Sequence, residues 1–216
     1  MKRFGQAAVA AVALMATARV ASAQLSGIPY APVEVGTGIS VAVDYAKPSS
    51  DLGGGTAYGL TGGVGFGRFG LSASFGAQDP SAFSKSTSVG GRIGMRLFGG
   101  GLNPLSVGLQ VGGSSTQNIG VNSTGGATTA TYVAPGAWAK VNLPLIKPWG
   151  QVYYTTGNNR PSWSKDEVRF AVGVNFNLLL GLGVHGAYDW GNTGGGWGIG
   201  AHFNFRLPGV PLVPGV

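Results

Sequence analysis

Two histidines, His185 and His202, are the side chains here best suited to bind a metal or move a proton. Imidazole suits zinc, copper and nickel, but protein metal sites usually take three or four ligands. No carboxylate or thiolate completes a set with this pair, and the chain has no cysteine. The expectation is two interior imidazoles bonded to water or glycine carbonyls, with no metal, no cofactor and no catalytic residue. The lack of cysteine also excludes thiol chemistry and disulfides. The stretches GFGRFG (65–70) and GLGVHG (181–186) match the dinucleotide pattern Gly-x-Gly-x-x-Gly. That pattern holds a pyrophosphate where a strand leads into a helix. Each copy here joins two strand-like runs, so both are by-products of a chain with 41 glycines.

The remaining chemistry is charge. Residues 1–23 carry Lys2, Arg3 and Arg19 and no acid, which leaves 11 basic and 7 acidic residues beyond them. A net +4 without a basic run does not suit a nucleic-acid binder. Eight of these charges lie inside alternating segments: Asp44, Arg92, Arg96, Lys140, Glu167, Arg169, Asp189 and Arg206. Each shares the phase of polar or small residues, as do Gln110, Asn175, His185, His202 and Asn204. In strand six, around Lys140, the phase is open.

The elements that must position these residues follow from that alternation. Over residues 165–207, every second residue is large and apolar in three successive runs: Val168 to Leu178, Leu180 to Trp190 and Trp197 to Phe205. Period-two alternation marks strands with one apolar and one polar face. Runs of about ten residues suit a tilted strand crossing a bilayer. Earlier strands are expected near residues 38–45, 56–66, 69–78, 92–97, 105–112, 131–143 and 149–156. Pro135 marks strand six as irregular, starting at Gly136 or carrying a bulge. The expected fold is all-β: a transmembrane antiparallel up-and-down barrel of ten strands, with eight as the alternative.

The segments outside the barrel are also legible. Lys2 and Arg3, the apolar stretch 7–15 and Ala21-Ser22-Ala23 form a secretory leader, residues 1–23, removed after Ala23. Residues 24–36 read as a periplasmic lead-in, 37–207 as the barrel and 208–216 as a Pro-rich periplasmic tail. Connections alternate between long polar loops and short turns, which leaves both barrel ends on one side. Outward aromatics form two levels. Tyr45, Tyr58, Tyr154, Tyr188, Trp190 and Trp197 lie near the long loops, and Phe66, Phe69, Phe176 and Phe205 near the short turns. A hairpin centred on Leu179 sets Arg169 opposite Asp189 and Gly173 opposite His185. One centred between Thr193 and Gly194 sets His185 opposite His202.

Together, the leader, the alternating strands, the aromatic levels and the final aromatic strand resemble a small bacterial outer-membrane β-barrel. The class is the broad one containing OmpA-like and OmpX-like barrels, and the likeness covers residues 38–207. It implies an integral place in a bacterial outer membrane of a Gram-negative envelope, contact with lipid and lipopolysaccharide, and recognition by the barrel-assembly machinery. Such barrels usually end in an aromatic residue. Here PGVPLVPGV follows Leu207, which moves that signal inward, to the stretch from Gly198 to Leu207. Lipid A deacylases of this class carry His-x-Ser, but His185 precedes Gly-Ala and His202 precedes Phe-Asn. Outer-membrane proteases need carboxylates and a histidine at the external rim, where only Asp189 lies. No enzyme is expected.

The expected role is structural or that of a narrow, porin-like passive pore for small solutes. The alternative is a soluble secreted β-protein binding a small apolar ligand. Inward glycines such as Gly59, Gly63, Gly94, Gly108, Gly173, Gly183 and Gly200 are expected to leave space, either water-filled or holding a narrow path or a small ligand. Asp44, Glu167, Arg169 and Asp189 can pair near the outer mouth. Arg96, Lys140 and Arg206 lie toward the other mouth, either reaching solvent or forming a ring that would favour anions.

Overall fold

Apolar side chains at every second position bury nothing unless a sheet turns them toward lipid or a second layer. In the computed structural model the sheet closes on itself. Residues 32–33, 38–81, 85–100, 103–117, 129–159 and 165–205 are described. The leader, most of the lead-in, Arg206, Leu207 and the tail lie outside them. Ten antiparallel strands form one barrel, each paired with its neighbours in sequence. They are β1 (Gly38–Pro48), β2 (Thr56–Phe66), β3 (Phe69–Asp79), β4 (Ser86–Gly100), β5 (Asn103–Gln117), β6 (Thr129–Val141), β7 (Ile146–Asn158), β8 (Glu167–Asn177), β9 (Leu182–Gly191) and β10 (Gly194–Phe205). The closing seam joins β1 to β10, from Ile39 opposite Phe205 to Pro48 opposite Gly196. Closure pairs every strand on both sides and leaves no edge.

Outside β6 and β7, whose faces the sequence left open, the expected faces hold among the described residues. Val41, Val43, Leu60, Phe75, Ile93, Leu109, Val172 and Ile199 point outward and are exposed, while Arg92, Gln110, Gln151 and Arg169 point inward and are buried. Both aromatic levels lie on the outer surface. Tyr45 meets Tyr58 edge-on with ring centroids 5.5 Å apart, and Trp190 stacks on Phe170 at 5.7 Å. At the other end Phe66 pairs with Phe69 across the tight Gly67-Arg68 turn.

The expected registers of the last two hairpins are wrong by two residues. Ala171, not Arg169, lies opposite Asp189, and Asn175, not Gly173, opposite His185. His185 faces Gly200 and His202 faces Gly183. The apolar run LLLGLG hides the first turn. The strands end at Asn177 and resume at Leu182, and Leu180 sits in the turn at φ 58°, 90 % exposed. In the second hairpin the turn is only Asn192-Thr193, because Gly194, Gly195 and Gly196 continue the ladder despite their loop-like composition. A slip of two keeps every side chain on its face, since the pleat repeats every two residues.

Strand six neither starts at Gly136 nor bulges there. It runs through Pro135 without a register shift, and only the pairings of Ala134 and Pro135 to β7 are missing. Its phase is settled, with Tyr132, Trp138 and Lys140 inward and buried. The bulges lie instead near the short turn of β4–β5, around Phe98. The third long loop is also shorter than its composition suggests, because polar residues 113–117 extend β5 and pair with both neighbours.

Candidate functional site in the barrel interior

Three hydrogen-bonded clusters occupy the interior. Near the long-loop end, Arg169 on β8 donates to Glu167 at 2.5 Å, to Asp189 on β9 and to Gly194 O at 3.1 Å. Thr193 N donates to Glu167 at 3.0 Å, and the Tyr153 hydroxyl on β7 bonds the second oxygen of Asp189. One guanidinium thereby ties β8, β9 and the β9–β10 turn together. The sequence expectation of pairing here holds for these three charges. Asp44 does not join them.

Asp44 belongs to the second cluster. Its carboxylate lies 2.6 Å from His185 Nε2. His185 Nδ1 and His202 Nδ1 are 3.2 Å apart, so one ring nitrogen carries the proton and the other accepts it, and His202 Nε2 lies 3.4 Å from Asn177 Oδ1. The rings stack with centroids 5.4 Å apart. This corrects the expectation of bonds to water or glycine carbonyls, and of no carboxylate nearby. Closure is the reason. Asp44 pairs with Gly200 on β10, and Gly200 pairs with His185 on β9. With no side chain on Gly200, carboxylate and imidazole meet across it. His185 spends its two nitrogens on two partners, and among the described residues no group of three His, Asp or Glu side chains could hold a metal.

The third cluster spans the interior between β4 and β7. Gln110 donates to Gln151 at 2.6 Å, and Arg92 Nη1 lies 3.2 Å from the side-chain oxygens of both glutamines. Asn175 accepts from the Trp149 indole at 2.9 Å. Asn204 lies on the inward phase of β10 near the short-turn end. Arg96 reaches Gly67 O at 3.4 Å and Lys140 is buried, so these two do not stand free at the mouth. Arg206 lies outside the described residues. Lys147, expected in a turn, starts β7 on its inward phase.

Inward glycines on β5, β6, β8, β9 and β10 do not leave holes as expected. A methyl built on Gly108 or Gly173 would run into the ring of Trp138 or Trp149, 2.5–2.6 Å from Cε2. Gly136 lies under Tyr153, Gly200 under His185 and Gly183 under His202. Each glycine lets a neighbouring ring lie flat on the sheet. On the lead-in, Val33 is buried against Gly94, with its Cβ 3.2 Å from such a methyl. Gly173→Val is therefore expected to cost about 1–3 kcal/mol through overpacking. Outward Gly62 has nothing within 4 Å of its built methyl, so Gly62→Val should be close to neutral. Urea titration followed by tryptophan fluorescence would compare the two.

Sequence reasoning missed Gln151, Tyr153 and Trp149 as interior groups. In β7, aromatic residues occupy both phases, Trp149 and Tyr153 against Tyr154, so alternation alone did not separate the faces. The hydroxyls of Ser72, Ser74, Ser114, Thr116 and Thr155 are also buried on the inner wall without a protein partner.

No family model matches this chain, and no curated protein matches it. Solved barrels resemble it in shape. The β domain of the Bordetella autotransporter BrkA superposes with a TM-score of 0.51 at 14 % identity, over 80 % of this chain and 100 % of that one. The N-terminal β-barrel domain of Pseudomonas aeruginosa OprF gives 0.44 at 14 % identity, over 79 % and 100 %. A de novo designed transmembrane β-barrel gives 0.38 at 10 % identity, over 80 % and 99 %. At such identities the likeness is one of fold.

Proposed function

We propose that the protein is an integral β-barrel of a bacterial outer membrane, with a structural role or acting as a narrow passive pore for small solutes. The observation that carries this reading is its inverted polarity. Large apolar side chains cover the outside, and the described interior charges are paired or hydrogen-bonded within. A soluble barrel holding an apolar ligand needs the reverse lining, and Arg92, Gln110 and Gln151 fill the place such a ligand would take. In this orientation the short turns face the periplasm and the long loops face outward. Lipid and lipopolysaccharide would contact the wall, and the assembly machinery would read the stretch from Gly198 to Leu207. No catalytic role is proposed.

Cell fractionation with a heat-dependent gel shift tests the location. A detergent-extracted membrane protein that changes mobility on boiling is expected. A urea-soluble periplasmic protein without such a shift would overturn the reading. Conductance in planar bilayers then separates a pore from an inert wall.

A further inference from the structure

The interior is filled unevenly. From β3 to β7, inward side chains such as Ser72, Arg92, Gln110, Trp138 and Gln151 are buried against one another. Along β1 and β2 the inward residues Ser40, Ala42, Gly59, Thr61 and Gly63 are small and partly exposed. The accessible part of the interior therefore runs off-centre along this wall, with Asp44 and His185 beside it.

Accessibility ends abruptly toward the long-loop side. Asp44 is partly exposed, yet the next inward pair on the same strands, Ala46 and Ala57, is 0 % exposed, and Pro48 is buried. The β1–β2 loop lies at this level. Ser49 N donates to Gly195 O at 2.8 Å, and Gly195 N donates to Ser49 Oγ at 3.2 Å. On the far side Gln78 donates to Leu52 O, and Ser81 N to Gly53 O, both at 3.1 Å. The loop is thus anchored on β10 and on β3, the strands that flank β1 and β2. Leu52 is buried, and its Cγ lies 3.4 Å from a methyl built on Gly194, which is on the inward phase of β10. Gly53, Gly54 and Gly55 have φ of 90°, 61° and 75°. Three left-handed residues in a row let the chain double back, a path that side chains resist.

We propose that the β1–β2 loop is a stopper, with Leu52 as its plug, closing an off-centre passage for water and small hydrophilic solutes along β1 and β2. This rests on the reading that the barrel spans a bilayer. Apolar Leu52 has reason to stay in the mouth, while among the described residues two hydrogen bonds hold each side of the loop. Opening requires release from β3 and bending at the glycines.

The test compares the wild-type protein with Leu52→Ser and with a chain lacking residues 51–54, each folded into liposomes and planar bilayers. Insertion is checked first by the heat-dependent gel shift and by protease protection. Failure to insert counts against the membrane reading itself. Among inserted proteins, at least a tenfold gain in conductance is expected for both variants, and wild-type conductance in both overturns the stopper. A third variant locks the loop. The Cβ built on Gly54 lies 3.9 Å from Ser81 Cβ, a separation that suits a disulfide. Oxidised Gly54→Cys/Ser81→Cys should lose spontaneous openings and regain them on reduction. Openings that persist after oxidation would also overturn the proposal.

Discussion

Replacing Arg169 by methionine is expected to destabilise the barrel by about 3–5 kcal/mol. Among the described residues the guanidinium is the only cation bonded to Glu167 and Asp189, and the side chains of all three are at most 6 % exposed. Without it, two carboxylates remain in a site that solvent barely reaches. The hydroxyl of Tyr153 and the groups of Thr193 satisfy hydrogen-bonding capacity but carry no positive charge. Urea-induced unfolding in lipid vesicles measures the loss. Arg169→Lys keeps the charge but cannot reproduce the forked contacts, so a smaller loss is expected. Adding Asp189→Asn to Arg169→Met removes one stranded charge and should restore part of the stability. A loss below about 1 kcal/mol for Arg169→Met would mean the pair behaves like an exposed one, and the clamp on β8, β9 and the β9–β10 turn would have to be abandoned.

The second large effect is expected on the outer wall. Val43 is 53 % exposed at the centre of β1, between Leu60 and Ala201 on its neighbours. In a bilayer, Val43→Arg places a guanidinium near mid-depth, at a cost of about 2–4 kcal/mol. In a water-soluble barrel the same exposed position would accept arginine with little change. The sign and size of this single substitution therefore discriminate between the two environments. Folding yield and unfolding midpoint in vesicles, with Val43→Leu as the apolar control, give the answer. A neutral result for arginine would remove lipid from the outer face.

The two substitutions draw on information of different origin. That Val43 faces out and Arg169 faces in was legible in the sequence, because alternation assigns a face to each residue. Ten strands, closed into one barrel, followed from counting such segments and noting that long and short connections alternate. Reading failed where composition stopped tracking structure. Leu178 and Leu180 look like strand residues but form a turn, and Gly194 to Gly196 look like a turn but form strand. In β7, aromatic residues on both phases hid Trp149 and Tyr153 from the interior.

The chain alone determined polarity and, outside β6 and β7, the face of each strand residue, because these depend on a two-residue period that survives any even slip in register. Contacts across the interior needed the folded barrel. Asp44 and His185 stand 141 residues apart and meet only because β1 closes on β10 with a glycine between them. The same holds for the rings over the inward glycines and for Leu52 in the mouth. Each depends on register and closure, which turn geometry and the meeting of first and last strands set, and no local pattern of residues encodes where those strands meet.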